Sequence, residues 1–318
     1  MGRNDEVLTR RNIVAGTCAC ILSRRATAAD RTQDAFAGRW AIQATNGHIF
    51  WLEVKPGQRL EGTFFGATGG RLARLLEARV KDGELHFAVE RVFDSSRTVR
   101  AVTTARRNGS GLRGRTAMDG RAFDWTGWRS PEIADRDDGS WKDGAPFVVN
   151  GFSQLRPIRS GGEKEWTFAD GVLRNLSPKA PLLLTTERFW NFVLRLEYKL
   201  PANGNSGIGL RSHYELQLAD DYGAPPDVHG NVSLYSRVPP TVNASKPPGE
   251  WQQLTVRFVG RELTVDLNGT RVIDRTVVEG LCGLALDPRE ERPGPVALQG
   301  DHGAVEFRNI SITPLVRS

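Results

Sequence analysis

Turn signals recur about every 10 residues along most of this chain, and short apolar runs lie between them. Asn-Gly and Asp-Gly pairs favour tight hairpin turns because these residues tolerate positive φ angles. No stretch of helical periodicity longer than two turns follows the N-terminal segment. The pattern predicts an all-β protein made of antiparallel strands. The turn pairs that carry this prediction are Pro56-Gly57, Asp82-Gly83, Asn108-Gly109, Asp170-Gly171 and Asn268-Gly269.

The strand pattern falls into two blocks separated by a polar, turn-rich stretch. Residues 38–130 predict a smaller antiparallel β-barrel or sandwich, and the opening Gly38-Arg39-Trp40 resembles the start of lipocalin-like barrels. Residues 131–150 predict a linker, and residues 151–318 predict a second β-domain. In that second block the nine residues from Phe192 to Leu200 alternate between apolar and polar, which predicts a strand with one buried face.

Residues 1–28 have the features of an export signal. Arg10-Arg11 precede an apolar run from Ile13 to Leu22, and Ala26-Thr27-Ala28 has the form of a cleavage site. The paired arginines resemble a twin-arginine signal, which predicts a periplasmic or secreted mature protein. The alternative interpretation is a disordered basic arm.

The formal net charge of +6 is divided evenly between this leader and the rest of the chain. Five arginines against Asp5 and Glu6 give +3 within residues 1–28, which leaves +3 without any run of five like charges. This distribution predicts no nucleic-acid partner. No apolar run approaches 18 residues, so we expect no membrane span. Cys18 and Cys20 lie in the leader, and Cys282 lies in an apolar stretch that predicts a buried thiol.

The stretch after Asn205-Ser206-Gly207 combines four different polar groups. The stretch predicts one continuous strand, in which alternation places Gly209, Arg211, His213, Glu215 and Gln217 on one face. A guanidinium, an imidazole, a carboxylate and an amide on one surface can bind hydroxyls, accept a proton and stabilise an anion. The alternative is a solvent-exposed sheet face on which Arg211 and Glu215 pair.

Two further segments are expected to converge on that face. Asp301-His302 is flanked by glycines that permit close approach of a ligand, and Lys246 lies in a proline-rich loop. The sequence contains no H-E-x-x-H motif, no zinc spacing, no P-loop and no G-x-S-x-G elbow. The presence of a divalent metal ion is left open, with Asp220 and Asp301 as its ligands, and no other cofactor is indicated.

Seven segments in order resemble the 3-keto-disaccharide hydrolase domain over about residues 147–315. They are Trp166–Leu173, Asn191–Tyr198, Asn203–Ile208, Tyr214–Leu218, Lys246–Trp251, Leu267–Gly269, and Leu298–Gly303 together with Phe307–Ile310. The resemblance implies a concanavalin A-like jelly roll whose ligand lies on the concave sheet. It also implies substrates whose glucose unit carries a ketone at C3.

The chemistry implied by this resemblance begins at C2 of the sugar, because the C3 ketone acidifies the C2 hydrogen. A general base removes that proton, the enolate expels the group at C1, and water then adds. Glu215 or His213 is the expected base, and Arg211, Lys246 or His302 is expected to stabilise the enolate. Gln217, Asn205 and Tyr235 are expected to bind the substrate. The implied activity is cleavage of glycosidic bonds in 3-keto-glucosides or 3-keto-disaccharides.

A non-catalytic carbohydrate-binding or cell-surface module is the alternative, because jelly rolls often only bind and the fold does not settle function. Such a module needs aromatic platforms. Trp190, Tyr222 and Tyr235 are the side chains that suit this role.

Overall fold

The computed structural model describes residues 34–57, 59–66, 70–92 and 98–318. The predicted export signal over residues 1–28 lies outside these residues. The elements are strands, numbered here β1–β23 in chain order, and two short 3-10 turns at Phe152–Gln154 and Gly162–Glu165. Within the described part of the chain, no helix has the length and apolar character needed to cross a bilayer.

The first nine strands form one antiparallel sheet in the order β4-β3-β2-β1-β9-β8-β7-β6-β5. Only Leu75 separates the two edge strands β4 and β5 in sequence, so the sheet curls until its edges meet in a barrel-like form. We call this unit the N-terminal barrel. Its strands are β1 (Gly38–Ala44), β2 (Ile49–Lys55), β3 (Glu61–Gly66), β4 (Leu72–Arg74), β5 (Leu76–Lys81), β6 (Glu84–Val92), β7 (Thr98–Asn108), β8 (Gly111–Met118) and β9 (Arg121–Arg129).

The remaining strands form two facing sheets, which we call the jelly roll. One has the order β13-β14-β23-β16-β19-β20-β21, with β10 and β11 also paired to β23, and the other has the order β12-β15-β22-β17-β18. The strands are β10 (Trp141–Asp143), β11 (Phe147–Val148), β12 (Leu155–Pro157), β13 (Trp166–Ala169), β14 (Val172–Asn175), β15 (Ala180–Thr185), β16 (Phe192–Lys199), β17 (Asn205–Leu210), β18 (Tyr214–Ala219), β19 (Gln252–Val259), β20 (Glu262–Leu267), β21 (Thr270–Val277), β22 (Ala297–Gly300) and β23 (Glu306–Arg317).

The prediction of an all-β chain with a jelly-roll sandwich is confirmed, and local sequence explains much of it. The alternating apolar face predicted from Phe192 onward is buried along β16, with exposures of 0% at Phe192 and Leu194 and 1% at Tyr198. The Asp170-Gly171 pair has positive φ angles at both residues and connects β13 to β14. Asn268-Gly269 connects β20 to β21 in the same way. These turns fix the register of their hairpins.

Residues 131–150, which the sequence predicts as a linker, include two short strands. These are β10 and β11, which pair with β23 at the edge of the larger jelly-roll sheet. Apolar residues such as Trp141 and Phe147 pack against that sheet despite the polar, turn-rich composition around them.

A buried ion pair ties the barrel to the jelly roll. Glu290 is fully buried and accepts hydrogen bonds from Tyr214 Oη at 2.8 Å, Arg261 Nη1 at 3.1 Å and Ser130 Oγ at 2.5 Å. Burial opposes ionisation of Glu290, but the charge of Arg261 and these hydrogen bonds hold its pKa below the usual value. Because Ser130 directly follows the last barrel strand, this cluster fixes the exit of the barrel against the core of the jelly roll.

Candidate active site

The stretch predicted to be one continuous strand is instead a hairpin, so that prediction is wrong. β17 ends at Leu210, β18 begins at Tyr214, and Arg211 and Ser212 form the turn with φ angles of 57° and 58°. Positive φ is uncommon outside Gly, Asn and Asp, and it persists where surrounding contacts impose it. Here the Leu286 N–H donates to Ser212 O at 2.8 Å. The hairpin removes Arg211 and His213 from the face that the alternation assigned to them.

Arg211 lies in the protein core. Its Nη1 donates to Gly260 O at 2.7 Å, and its guanidinium carbon lies 3.8 Å from the Phe258 ring centroid and 4.3 Å from that of Trp190. Burial lowers the pKa of Arg211 to about 9. The geometry therefore gives Arg211 a packing role, and its side chain is too deep to stabilise an enolate at the surface.

His213 is also fully buried, and neither of its ring nitrogens has a hydrogen-bond partner among the described residues. Burial lowers its pKa to about 4. Its carbonyl accepts the Cys282 N–H at 3.1 Å, which joins the hairpin turn to the loop before Gly283. Cys282 itself is a buried free thiol, as predicted, and burial raises its pKa to about 11.

Glu215 and Gln217 lie on the outer face of the five-stranded sheet, which points away from the jelly-roll core. Their neighbours Tyr214, Leu216 and Leu218 fill the core between the sheets, and side chains alternate along a strand. Gly209 pairs with Glu215 and Gly207 pairs with Gln217 across the hairpin. The absence of side chains at these glycines lets neighbouring groups approach closely: a Cβ on Gly207 would lie 2.5 Å from Glu215 Oε1, and a Cβ on Gly209 would lie 2.8 Å from Ala297 Cβ.

Two glycines shape the surroundings of the Glu215 carboxyl group. A Cβ placed on Gly207 would lie 2.5 Å from Glu215 Oε1 and 3.0 Å from Gln299 Oε1. A Cβ placed on Gly283, whose φ is 58°, would collide with Oε2 and Cβ of Glu215. The carboxyl group therefore lies between Gly207 and Gly283 with Gln299 beside it. We call Glu215, Gln217, Asn205 and Gln299 with these two glycines the carboxylate site.

The Glu215 carboxyl group is isolated in this position. The residue is 5% exposed, and no described residue forms a hydrogen bond or an ion pair with its side chain. Burial raises its pKa to about 8, while the positive charge of His302 lowers it and the negative charge of Asp301 raises it. Burial of a carboxyl group without a partner is unfavourable, and groups with such perturbed pKa values concentrate at functional sites, which makes Glu215 the candidate at this position.

Three amide side chains lie around Glu215: two are hydrogen-bonded to each other, and the third has a side-chain oxygen without a partner among the described residues. Gln217 Nε2 donates to Asn205 Oδ1 at 3.2 Å, so the structure brings these two predicted binding residues together. Gln299 is 5% exposed, and its Oε1 is buried without a partner among the described residues. Buried acceptors are normally hydrogen-bonded, so this oxygen is suited to accept a hydrogen bond from a ligand hydroxyl. Sequence reasoning missed Gln299, although its position beside Gly300-Asp301-His302 was a usable signal.

Asp301 and His302 form a pair at the rim, with His302 Nδ1 2.7 Å from Asp301 Oδ1. The hydrogen bond to Asp301 raises the pKa of His302, and the same bond lowers the pKa of Asp301. Both side chains are about half exposed, at 49% for His302 and 45% for Asp301. Their charges act on Glu215, so this pair belongs to the electrostatic surroundings of the carboxylate site.

Tyr235 lies on the other side of Glu215. Its N–H donates to Glu215 O at 3.0 Å, and Leu234 forms a β-bridge with Leu216, so the segment 230–238 extends the sheet beyond β18. Burial raises the pKa of Tyr235, and the charge of Glu215 adds to this effect. The other two predicted aromatic platforms lie elsewhere: Trp190 stacks on Arg211 and donates to Asp135, and Tyr222 lies exposed in a loop.

Lys246 and Asp220 have contacts that do not bring them to Glu215. Lys246 Nζ donates to Trp251 O at 3.3 Å, and its charge acts on Glu197 of the larger sheet. Asp220 Oδ2 accepts the Asn203 N–H at 2.8 Å. No group of three or more His, Cys, Asp or Glu side chains in the described ranges is placed to hold a metal ion. The expectation that Asp220 and Asp301 form a metal site therefore has no ligand set to support it.

Residues 115–313 match a family model of carbohydrate-active enzymes, and the match begins within β8. The model describes the 3-keto-alpha-glucoside-1,2-lyase-like domain, and the chain belongs to this family. The resemblance inferred from the seven sequence segments is thereby confirmed. No curated protein matches the chain.

Solved structures similar to the chain include glycosyl hydrolase candidates from Parabacteroides distasonis. One aligns at 25% identity with a TM-score of 0.46, over 58% of this chain and 91% of that chain. Another aligns at 20% identity with a TM-score of 0.46, over 55% of this chain and all of that chain. A carbohydrate-binding module from Bacillus subtilis aligns at 11% identity with a TM-score of 0.35, over 50% of this chain and 95% of that chain.

Proposed function

We propose that the protein cleaves the glycosidic bond of 3-keto-glucosides or 3-keto-disaccharides, with Glu215 as the general base. The observation that carries the proposal is the buried Glu215 carboxyl group, which has no partner among the described residues and a pKa of about 8. A general base works best when its pKa lies near the working pH, and a structural carboxylate would be paired. Family membership supports the substrate class and elimination across C1 and C2, in which the C2–H and C1–O bonds break.

In the proposed reaction Glu215 removes the proton from C2 of the sugar, which the C3 ketone has acidified. The electron pair of that C–H bond forms an enolate, the enolate expels the oxygen substituent at C1, and the leaving oxygen takes up a proton. Water then adds at C1 of the resulting enone, its released proton restores the acid that protonated the leaving oxygen, and Glu215 returns its own proton to C2. The products are a 3-keto sugar and the released alcohol or sugar.

His302 supplies the positive charge in this scheme. Asp301 raises its pKa through the 2.7 Å hydrogen bond, so the imidazolium persists to higher pH than in a free histidine. A cation near the developing enolate stabilises it, and the same imidazolium is a proton donor for the leaving oxygen. This role replaces the one expected for Arg211 and Lys246, whose contacts lie in the core and on the larger sheet.

The amides provide the recognition of hydroxyl groups. Gln299 Oε1 has no donor among the described residues, and a sugar hydroxyl would supply one. Gln217 and Asn205 are joined to each other and retain further hydrogen-bonding groups for neighbouring hydroxyls. The reacting carbon is placed above Gly207, where any side chain would lie against Glu215 Oε1 and block its approach.

The test is turnover of 3-keto-trehalose by the purified protein, and the quantity measured is the release of 3-keto-glucose. We expect release by the wild type and at least 1,000-fold less by Glu215→Gln, in the range seen when a general base is lost. Glu250→Gln, a change at an exposed carboxylate, is the matched control and should retain full activity. The same assay with a chelator tests the metal hypothesis directly. No release from several 3-keto glycosides, together with measurable sugar binding, would instead favour a carbohydrate-binding module.

We also propose that the chain acts outside the cytoplasm, because Arg10-Arg11, the apolar run after them and Ala26-Thr27-Ala28 have the order of an export signal. Cell fractionation of the native host with N-terminal sequencing tests this proposal. A mature protein that begins after Ala28 is the expected result, and an intact N-terminus in the cytoplasmic fraction would refute it.

A further inference from the structure

The N-terminal barrel reaches the jelly roll beside Tyr235. The Leu72 N–H at the start of β4 donates to Ser236 Oγ at 3.2 Å. One residue further along, the Arg237 guanidinium carbon lies 4.4 Å from the Trp51 ring centroid and 5.1 Å from that of Phe65. Two successive residues of the segment that carries Tyr235 are therefore held by the barrel, which fixes the position of β4 relative to the carboxylate site.

Arg71 is brought to this junction because it directly precedes Leu72. Its side chain is exposed, and it has no hydrogen-bond or ion-pair partner among the described residues. Its positive charge acts on both His229 and Tyr235. A guanidinium with free donors binds paired oxygen atoms well, because its N–H groups are arranged in a fixed planar fork.

His229 and Tyr235 complete the surface next to Arg71. Their rings are 5.2 Å apart in an edge-to-face arrangement, and His229 Nε2 lies 3.3 Å from Ser236 Oγ. Asp227 orients His229 from the other side, since its Oδ1 lies 3.3 Å from Nδ1. Tyr235 is the direct strand neighbour of Glu215, so this surface begins where the carboxylate site ends.

We infer that Arg71, His229 and Tyr235 form a subsite shared between the two domains, which binds the leaving group of the substrate when that group is a second sugar. The aromatic ring of Tyr235 offers an apolar face for a sugar ring, and Arg71 and His229 offer hydrogen bonds to its hydroxyls. This inference rests on the proposed function, because it assumes that the reacting sugar lies over Gly207 beside Glu215. It gives the N-terminal barrel a part in substrate selection.

The opposite side of Glu215 does not offer an equivalent subsite. Across the sheet, Glu215 of β18 pairs with Gly209 of β17, and Gly209 pairs with Ala297 of β22. On this side of Glu215, a Cβ on Gly209 would meet Leu284 at 3.6 Å. Leu284 belongs to a small apolar cluster with Leu182 and Leu184 that covers this part of the sheet. Because this side of Glu215 is covered, a second sugar that extends across the sheet is expected to lie on the side of Tyr235.

The test compares two substrates that differ only in the leaving group, 3-keto-trehalose and methyl 3-keto-α-glucoside. Arg71→Ala should lower kcat/KM for the disaccharide at least tenfold and leave that for the methyl glycoside within about twofold of wild type, since binding at a remote subsite serves only the larger substrate. Arg74→Ala removes an exposed arginine at the other end of β4 and should leave both values unchanged. Equal losses on both substrates, or no loss on either, would overturn the subsite.

A binding measurement tests the subsite independently of whether the proposed catalytic function is correct. In the Glu215→Gln background, calorimetric titration with the same two compounds should show that Arg71→Ala weakens only the disaccharide, again by at least tenfold. If the wild type turns over neither compound, the proposed function fails, and the titration still decides whether Arg71 recognises the second sugar. Equal affinities with and without Arg71 would rule the subsite out even if the enzyme is active.

Discussion

The carboxyl group of Glu215 lies directly beneath the Cα of Gly283, in the space that a side chain at position 283 would fill. The two residues come from different parts of the chain, β18 and the loop that follows β21. Their contact explains how a carboxylate is buried at the edge of a sheet: the loop covers it from above, and the lack of a side chain lets backbone approach closely.

Gly283→Ala should therefore remove activity by displacing the base. The new methyl group requires the Glu215 carboxyl group to move, and a displacement of about 1 Å in a reacting group costs on the order of 100-fold in rate. The measurement is kcat/KM on 3-keto-trehalose. Gly269→Ala imposes a similar strain at a φ of 82° but meets no atom within 4 Å, so it should keep full activity. Similar losses in both variants would mean that strain rather than collision is responsible.

The rate should depend on pH through the ionisation of Glu215. Burial raises the pKa of this residue to about 8, so the base is about 1% ionised at pH 6 and half ionised at pH 8. We expect kcat/KM to rise about tenfold per pH unit below pH 8, since kcat/KM reports the free enzyme. Initial rates between pH 5 and 10 give the midpoint, and a midpoint near the ordinary value for glutamate would contradict the assignment.

His302→Gln should move that midpoint to higher pH and lower the maximal rate. The positive charge of His302 favours the ionised form of Glu215, so removing it makes the base harder to ionise. The pH profile measures this shift. His48→Gln in the barrel, where the side chain is exposed, is the control and should leave the midpoint unchanged. An unchanged midpoint, or a shift to lower pH, would contradict a positively charged His302 acting on Glu215.

Gln299→Met should weaken substrate binding without weakening the fold. Gln299 Oε1 is buried and unpartnered among the described residues, so a thioether of similar length removes an unfavourable group, and the free energy of unfolding should stay the same or rise by about 1 kcal/mol. KM for 3-keto-trehalose should rise at least tenfold. Gln252 is the contrast, because its side-chain oxygen accepts the Lys246 N–H at 2.9 Å and its amide donates to Lys246 O. Gln252→Met should therefore destabilise the protein and leave KM unchanged in urea-unfolding and rate measurements.

The sequence indicates the strands of this protein well where burial and turn chemistry agree. β16 alternates as expected, and Asp170-Gly171 and Asn268-Gly269 form the predicted turns because their φ angles suit those residues. The Arg211-Ser212 turn contains neither glycine nor asparagine, and contacts from distant segments impose its positive φ angles. Local sequence does not encode such contacts.

The same limit applies to the site. Alternation along one strand predicts that Glu215 and Gln217 share a face, and they do so on β18. Asn205 lies beside Gln217 only because the chain turns back at Arg211-Ser212, a turn that the sequence pattern does not predict. Gln299 and Gly283 were missed as parts of the site because only the pairing of β22 with β17 and the path of the loop after β21 bring them to Glu215. The charge of His302 was anticipated, while the burial that separates Arg211 from the site depends on how Phe258 and Trp190 pack.

Arg211→Ala distinguishes a core residue from a catalytic one. Removal of a large side chain packed between Phe258 and Trp190 leaves a cavity and an unpaired carbonyl at Gly260, which should lower the free energy of unfolding by about 3 kcal/mol. At a temperature where the variant is folded, kcat/KM should lie within about threefold of wild type. Lys246→Ala, at a residue whose contacts are with Trp251 and Gln252, should change neither quantity by much. A hundredfold loss of kcat/KM in Arg211→Ala with unchanged stability would show that Arg211 acts in catalysis. A cation that stabilises the enolate affects the rate and not the fold.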